Sequence, residues 1–140
     1  MITITTPPLG SYRVTKKLTR ILTDTLAAHD LTPGEPVTLN FRSSDYNPVT
    51  GGYQPVEVRL HADGSLDYIT EFMFDGCDEY ADLGKQLDFD FSGYAFGQGF
   101  MGQLRYTIAE HGKGLFRTWQ ANFCHYYAQG VYDQISVTNN

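Results

Sequence analysis

The sequence predicts an α+β domain: an N-terminal helix, an antiparallel meander sheet of about five to seven strands, and a C-terminal helix packed on one sheet face. Three observations predict it. Val14, Leu18, Ile21, Leu22 and Leu26 recur at helical spacing. Period-two segments follow, two of them joined by an Asp63-Gly64 turn of the kind that closes hairpins. Leu115, Trp119, Phe123 and Tyr126 then return to helical spacing ahead of Gly130, a residue suited to ending a helix.

Residues 1–10 read as a polar arm ending in Pro7-Pro8-Leu-Gly, and 11–140 as a single α+β domain without repeats or linkers. Ser11 is the expected N-cap of a helix over roughly 11–29, ended by Leu31-Thr-Pro33-Gly34. Val37, Leu39 and Phe41 alternate with Thr38, Asn40 and Arg42, which predicts a strand over 37–43. A second, over 54–62, sets Val56, Val58 and Leu60 against Glu57, Arg59 and His61. The third, over 66–74, puts Leu66, Tyr68, Thr70, Phe72 and Phe74 on one side and Asp67, Ile69, Glu71 and Met73 on the other.

Beyond these, Asp78 to Lys85 is expected as a short helix and Leu87-Asp-Phe-Asp-Phe91 as a strand. The glycine-rich stretch 92–107 holds one or two short strands, at Tyr94-Ala-Phe96 and Leu104 to Thr107. Thr107-Ile-Ala-Glu110 has capping-box spacing for the last helix, although Gly112 and Gly114 weaken any helix running through them. Val131 to Val137 reads as a final strand.

Composition narrows the function. A chain of 140 residues can bury a core without a metal or disulfide. Cys77 and Cys124 stand far apart, outside any CxxC pair, and are expected to be reduced and buried, as in a cytoplasmic protein. The N-terminus shows no basic region followed by an apolar run, and no stretch reaches the ~20 apolar residues of a membrane span. A net charge of −6 argues against nucleic acid as a partner. The charge is uneven. Arg13, Lys16, Lys17 and Arg20 precede any acid, whereas Glu57 to Asp90 holds ten acids against Arg59 and Lys85.

No motif survives as chemistry. Gly97-Gln-Gly99-Phe-Met-Gly102 spells GxGxxG, but that signature binds a dinucleotide only between a strand and a helix of a parallel unit. Here its glycines are expected to serve turns or a bulge. The histidines and cysteines lack ligand spacing, and Asp75 to Asp82 lacks that of a calcium loop. Asp88 and Asp90 share a strand face and read as solvated. No catalytic residue, metal or cofactor is predicted.

Two features suggest binding instead. Asn40, Arg42, Glu57, Arg59, His61 and Glu71 are expected on one polar sheet face, where cross-strand ion pairing is the ordinary role. The connection Ser43 to Tyr53 is long for a hairpin and carries two tyrosines. Arg42, Asp45, Tyr46, Tyr53, Glu57 and Arg59 are therefore the candidate binding residues.

The stretch from Asn40-Phe41-Arg42 through Asp45-Tyr46, Gly51-Gly52-Tyr53 and Pro55-Val56-Glu57-Val58-Arg59 resembles the signature of an uncharacterised bacterial family, domain of unknown function 2787 (DUF2787). Tyr68 to Phe72, Leu87 to Phe91 and Leu115 to Phe123 are similar to it too, so the resemblance covers about residues 12–137. Such proteins occur mainly in marine and enteric bacteria, often on mobile or pathogenicity islands. The resemblance implies a fold shared with acidic mitochondrial matrix proteins, which bind many protein ligands and assemble as rings. It brings no catalytic residues, and a strand after Gly130 departs from its plan.

The expected function is a non-enzymatic protein-interaction domain encoded on a bacterial mobile element, with an unknown protein partner and with a homo-oligomer open to it. One alternative is a small-molecule-binding domain or enzyme with a pocket between sheet and helices. Another is a nucleic-acid-associated factor using the basic N-terminal helix.

Overall fold

A computed structural model describes residues 3–5, 13–75, 82–93, 95–98, 103–105 and 110–140. In chain order the elements are α1 (Lys16–Ala27), β1 (Val37–Arg42), β2 (Val56–Leu60), β3 (Leu66–Asp75), β4 (Asp82–Asp90), β5 (Ala95–Gln98), β6 (Gln103–Arg105), α2 (Glu110–Ala128) and β7 (Gln134–Thr138). The strands form one seven-stranded antiparallel sheet in the order β6-β5-β4-β3-β2-β1-β7. This is the α+β meander that the periodicities predict.

Both helices pack on one sheet face. Leu18, Leu22 and Leu26 of α1 and Phe116, Trp119 and Phe123 of α2 join Leu39, Phe41, Val58, Ile69 and Phe89 in a single buried cluster. α1 starts at Lys16 rather than after Ser11, because Thr15 is its N-cap: the Thr15 hydroxyl accepts from the Leu18 amide at 3.3 Å. Gln120 of α2 fixes that start. Its side chain accepts from the Thr15 amide at 3.1 Å and donates to the Arg13 carbonyl at 2.7 Å. The described part of the N-terminal arm is tied down as well, since Thr5 bonds Gly64 and Leu66 across a parallel bridge.

β1 and β2 alternate as predicted, with Val37, Leu39, Phe41, Val56, Val58 and Leu60 buried. β3 does not keep one parity. A register shift beside Arg59 and Leu60 pairs Leu60 with Leu66 but Arg59 with Tyr68, leaving Asp67 unpaired. The Asp67 carbonyl accepts instead from the amides of Phe91 and Ser92. Leu66 and Ile69 are therefore both buried, although three residues apart on a strand.

The helix expected over 78–85 is not formed where it is described. Asp82 to Lys85 extend β4 and pair with Asp75 to Phe72, giving the long end of β3 its backbone partners. Residues 78–81 lie outside the described residues. The GxGxxG stretch joins β5 to β6, which pair antiparallel from Ala95 with Arg105 to Gly97 with Gln103. Among the described residues there, the pairing is antiparallel and no parallel strand–helix unit is formed to hold a dinucleotide phosphate.

α2 runs through Gly112 and Gly114, so tertiary packing overrides their low propensity. The rest of the expected capping box, Thr107 to Ala109, lies outside the described residues. At the other end, the Gly130 amide donates to the Tyr127 carbonyl at 3.0 Å and the Val131 amide to the Tyr126 carbonyl at 3.2 Å. This is a Schellman stop with Gly130 at φ 75°. Nothing lies within 4 Å of where a Cβ at Gly130 would sit, so Gly130→Ala strains only the backbone. We expect a loss of about 1–2 kcal/mol in a urea unfolding experiment, partly recovered in Gly130→Asn.

β7 is shorter than the predicted 131–137 segment, because Val131 completes the helix stop and Tyr132 turns into the core. Its pairing with β1 runs from Arg42 opposite Gln134 to Thr38 opposite Thr138. Among the described residues, no helix is long and apolar enough to cross a membrane.

Candidate functional site

The predicted polar face is largely occupied with itself. On the side of the sheet away from the helices, Arg59 donates to the Thr38 hydroxyl at 2.8 Å and lies 3.8 Å from the Asp67 carboxylate. His61 stands 3.7 Å from Asp67 and 2.6 Å from the Ser92 hydroxyl. The Tyr68 hydroxyl donates to Glu57. Burial, followed by that bond, pushes the Tyr68 phenol well above its ordinary range. Asp88 is not solvated as expected: it is buried and accepts from the buried Thr70 hydroxyl at 2.7 Å. Asp90 accepts from the Gly93 amide at 2.8 Å, holding the turn after β4.

Glu71 is not on that face. It pairs with Val56 in β3, on the side of Val58 and Ile69, and so points under α2. The Asp67 bulge explains the error, because it reverses which residues of β3 face the core. Here the Trp119 indole N–H donates to Glu71 Oε1 at 3.2 Å. Among the described residues, this is the one hydrogen bond Glu71 receives, and no cation pairs with it.

Around Glu71 lies a cleft of about 490 Å³, within the range of ligand sites, between the 52–54 segment, the sheet and α2. Tyr53, Trp119, Asn122, Tyr126 and Tyr132 line it with Glu71. Trp119 is buried, with Phe123 and Phe116 stacked along it at centroid distances of 5.2 and 6.0 Å. Tyr53 and Tyr126 meet edge-to-face at 4.9 Å, with Tyr53 still 43% exposed. Tyr132 is buried against Phe41 and Phe123. Its phenol is pushed well above the ordinary range by burial, then by the neighbouring Glu71 charge and the Tyr126 and Tyr53 hydroxyls. Burial likewise raises the Glu71 carboxyl, with the indole bond opposing it.

The loop from Ser43 to Tyr53 forms the rim, and it is built rather than loose. Asn47 and Gly51 exchange backbone hydrogen bonds at 3.2 and 3.0 Å. The Asn47 side chain accepts from the amides of Val49 and Thr50 and donates to the Asp45 carbonyl and the Thr50 hydroxyl. Gly52, at φ 125°, lets the chain pass Tyr46 where a Cβ would come within 3.4 Å of the Tyr46 Cα. Asp133, beyond α2, ties the loop down: it accepts from the Ser44 amide at 2.8 Å and from the Ser44 hydroxyl. Those two bonds hold the Asp133 carboxyl below the usual carboxylate range.

The six candidate residues thus separate. Arg42, Glu57 and Arg59 lie on the polar face, with Arg42 exposed at the end of β1. Asp45 and Tyr46 belong to the loop frame, and Tyr53 reaches the cleft. Sequence reasoning missed Glu71 and Tyr132 as cleft residues. Leu115, Trp119 and Tyr126, whose spacing predicts the helix, also line the cleft.

Cavities of about 630 and 650 Å³ lie beneath the end of α1 and in the groove between the helices. Neither holds a half-buried carboxyl without a cation. The second contains Cys124, a free, half-buried thiol whose pKa burial raises; Cys77 lies outside the described residues. Among the described residues, no group of three or more His, Cys, Asp or Glu side chains could hold a metal ion.

The sequence profile of a family described as a protein of unknown function, DUF2787, matches residues 16–138. This chain belongs to that family. Two solved structures similar to this DUF2787 chain come from Vibrio cholerae. One, a hypothetical protein of the VSP-II pathogenicity island, is 34% identical with a TM-score of 0.77, covering 91% of this chain and 95% of its own. The other, a conserved hypothetical protein of pathogenicity island VPI-2, is 30% identical with a TM-score of 0.77, covering 91% and 96%. The latter is described as sharing structural homology with the human P32 protein. No curated protein matches the chain. DUF2787 is thus a family of unknown function with members on pathogenicity islands.

Proposed function

We propose that this DUF2787 protein is a non-enzymatic protein-binding module, carried on a mobile element as its Vibrio relatives are, with its recognition site at the Glu71 cleft and the 43–53 rim. One observation carries the reading. Among the described residues, the exposed large hydrophobics are Val49, Tyr53 and Ile135, and two of these three sit on that rim. An exposed tyrosine and an exposed valine on a loop braced by Asn47 and Asp133 have the makings of a preformed anchor, since little ordering entropy remains to be lost on binding. The polar face competes less well, because Glu57, Arg59 and Asp88 there already have partners within the sheet.

Replacing Val49 with a photoreactive amino acid tests this in host cells, with Ser136 on the opposite face as the control position. The expected result is a discrete crosslinked species from position 49 that disappears in Tyr53→Ala. Equal crosslinking from position 136, or indifference to Tyr53→Ala, would remove the cleft from consideration.

A further inference from the structure

We infer that the group received by the Glu71 cleft is a guanidinium, presented as an arginine side chain on the partner. This rests on the binding-site reading above and adds the chemistry of the occupant. The first ground is an unbalanced charge. Glu71 is half-buried, its described hydrogen bonding amounts to one indole N–H, and no described cation offsets it. A carboxylate withdrawn from water with a single donor is costly, and an incoming cation with several N–H groups removes that cost.

The second ground is the form of the walls. Tyr53 and Tyr126 line the same cleft as the carboxyl, and Tyr53 keeps 43% of its surface free. A planar cation can lie against a tyrosine ring while its edge donates to the carboxylate. Trp119 is not the stacking partner, since Phe116 and Phe123 already stack along it and its N–H is committed to Glu71. Asn122 and Gln54 supply further acceptors at the cleft edge, which suits the five N–H donors of a guanidinium better than a compact ammonium.

A bare metal ion fits less well, because a single carboxylate among aromatic rings falls short of the six or more oxygens that calcium takes. A neutral occupant would leave the Glu71 charge as it is. The whole-chain charge of −6 favours a basic visitor in the same direction.

The test uses the 140-residue chain labelled with nitrogen-15. Trp119 is the single tryptophan, so its indole N–H gives one resolved signal next to Glu71. N-acetyl-arginine methylamide is titrated in, followed by the citrulline analogue, which keeps the shape and lacks the charge. The expected result is a saturable shift of the indole signal with the arginine probe and at least about tenfold weaker binding of citrulline. Glu71→Gln should abolish that preference while keeping the fold, and Tyr53→Leu should weaken the arginine probe alone.

Equal affinity for the two probes, an unchanged preference in Glu71→Gln, or no shift with the arginine probe would overturn the inference. If crosslinking from position 49 persists under any of those outcomes, the cleft remains the binding site and only the guanidinium is lost. Absence of both results removes the site itself.

Discussion

Phe41→Ala is expected to lower the unfolding free energy by about 3–5 kcal/mol, the range for emptying a fully buried aromatic site. Phe41 is fully buried and lies edge-on to Phe123 at 5.1 Å and to Tyr132 at 6.1 Å. It therefore joins three separate parts of the chain: β1, α2 and the segment after α2. The hole would open directly beneath Phe123 and Tyr132, both cleft residues. Urea unfolding followed by Trp119 fluorescence measures the loss, and a change below about 1 kcal/mol would mean that this aromatic cluster is not the keystone described. Phe41→Leu should recover much of the stability, since it restores most of the apolar volume.

Glu71→Gln is expected to act in the opposite direction, by an amount that depends on pH. Burial raises the carboxyl above its ordinary value, and the indole bond only partly opposes this. A carboxyl with a higher pKa in the folded state holds its proton more tightly there. Folding stability therefore falls as pH rises from the unfolded glutamate value, roughly 4.3, through the raised folded value, and then levels off. Glutamine carries no such charge and can still accept from the Trp119 indole. The variant should gain on the wild type as pH rises above the ordinary glutamate value, keep that gain once the wild-type carboxyl is ionised, and gain nothing at lower pH. Thermal unfolding across that range checks it, and a difference independent of pH would show that Glu71 is not desolvated. A residue that weakens the fold when charged, yet sits in a cleft, is a familiar mark of a position retained for function.

Much of the fold is legible in the sequence because its local signals agree. The alternation of Val37, Leu39 and Phe41, the Asp63-Gly64 turn, the stripe Leu18, Leu22 and Leu26, and the Gly130 stop each specify one structure, and each is found. Two failures have physical causes. Asp82 to Lys85 pair with the far end of β3, and Gly84 among them already weakens a helix. Glu71 was assigned to the wrong face because one unpaired residue, Asp67, reverses the parity of the strand beyond it. A hint was available: Leu66 and Ile69, both core-forming types, cannot share a face of a regular strand.

The cleft itself was only partly legible. Tyr53 stood out as a binding candidate on its loop, but its convergence with α2, Tyr132 and Glu71 depends on long-range packing that periodicity does not encode. The polar face holds Arg42, Glu57 and Arg59 as expected but not Glu71, and its cross-strand partners include Tyr68 and Asp67. What sequence could not supply was the contrast that matters: Arg59 has a described counter-charge and Glu71 has none.

The measurement that tests this account most directly is the carboxyl titration of Glu71 by carbon-13 NMR, in the free protein and with saturating methylguanidinium. The account predicts a pKa above the ordinary glutamate range in the free protein, falling when the cation binds and a proton is released. An ordinary value in the free protein, or a raised value that the cation leaves unchanged, would contradict it.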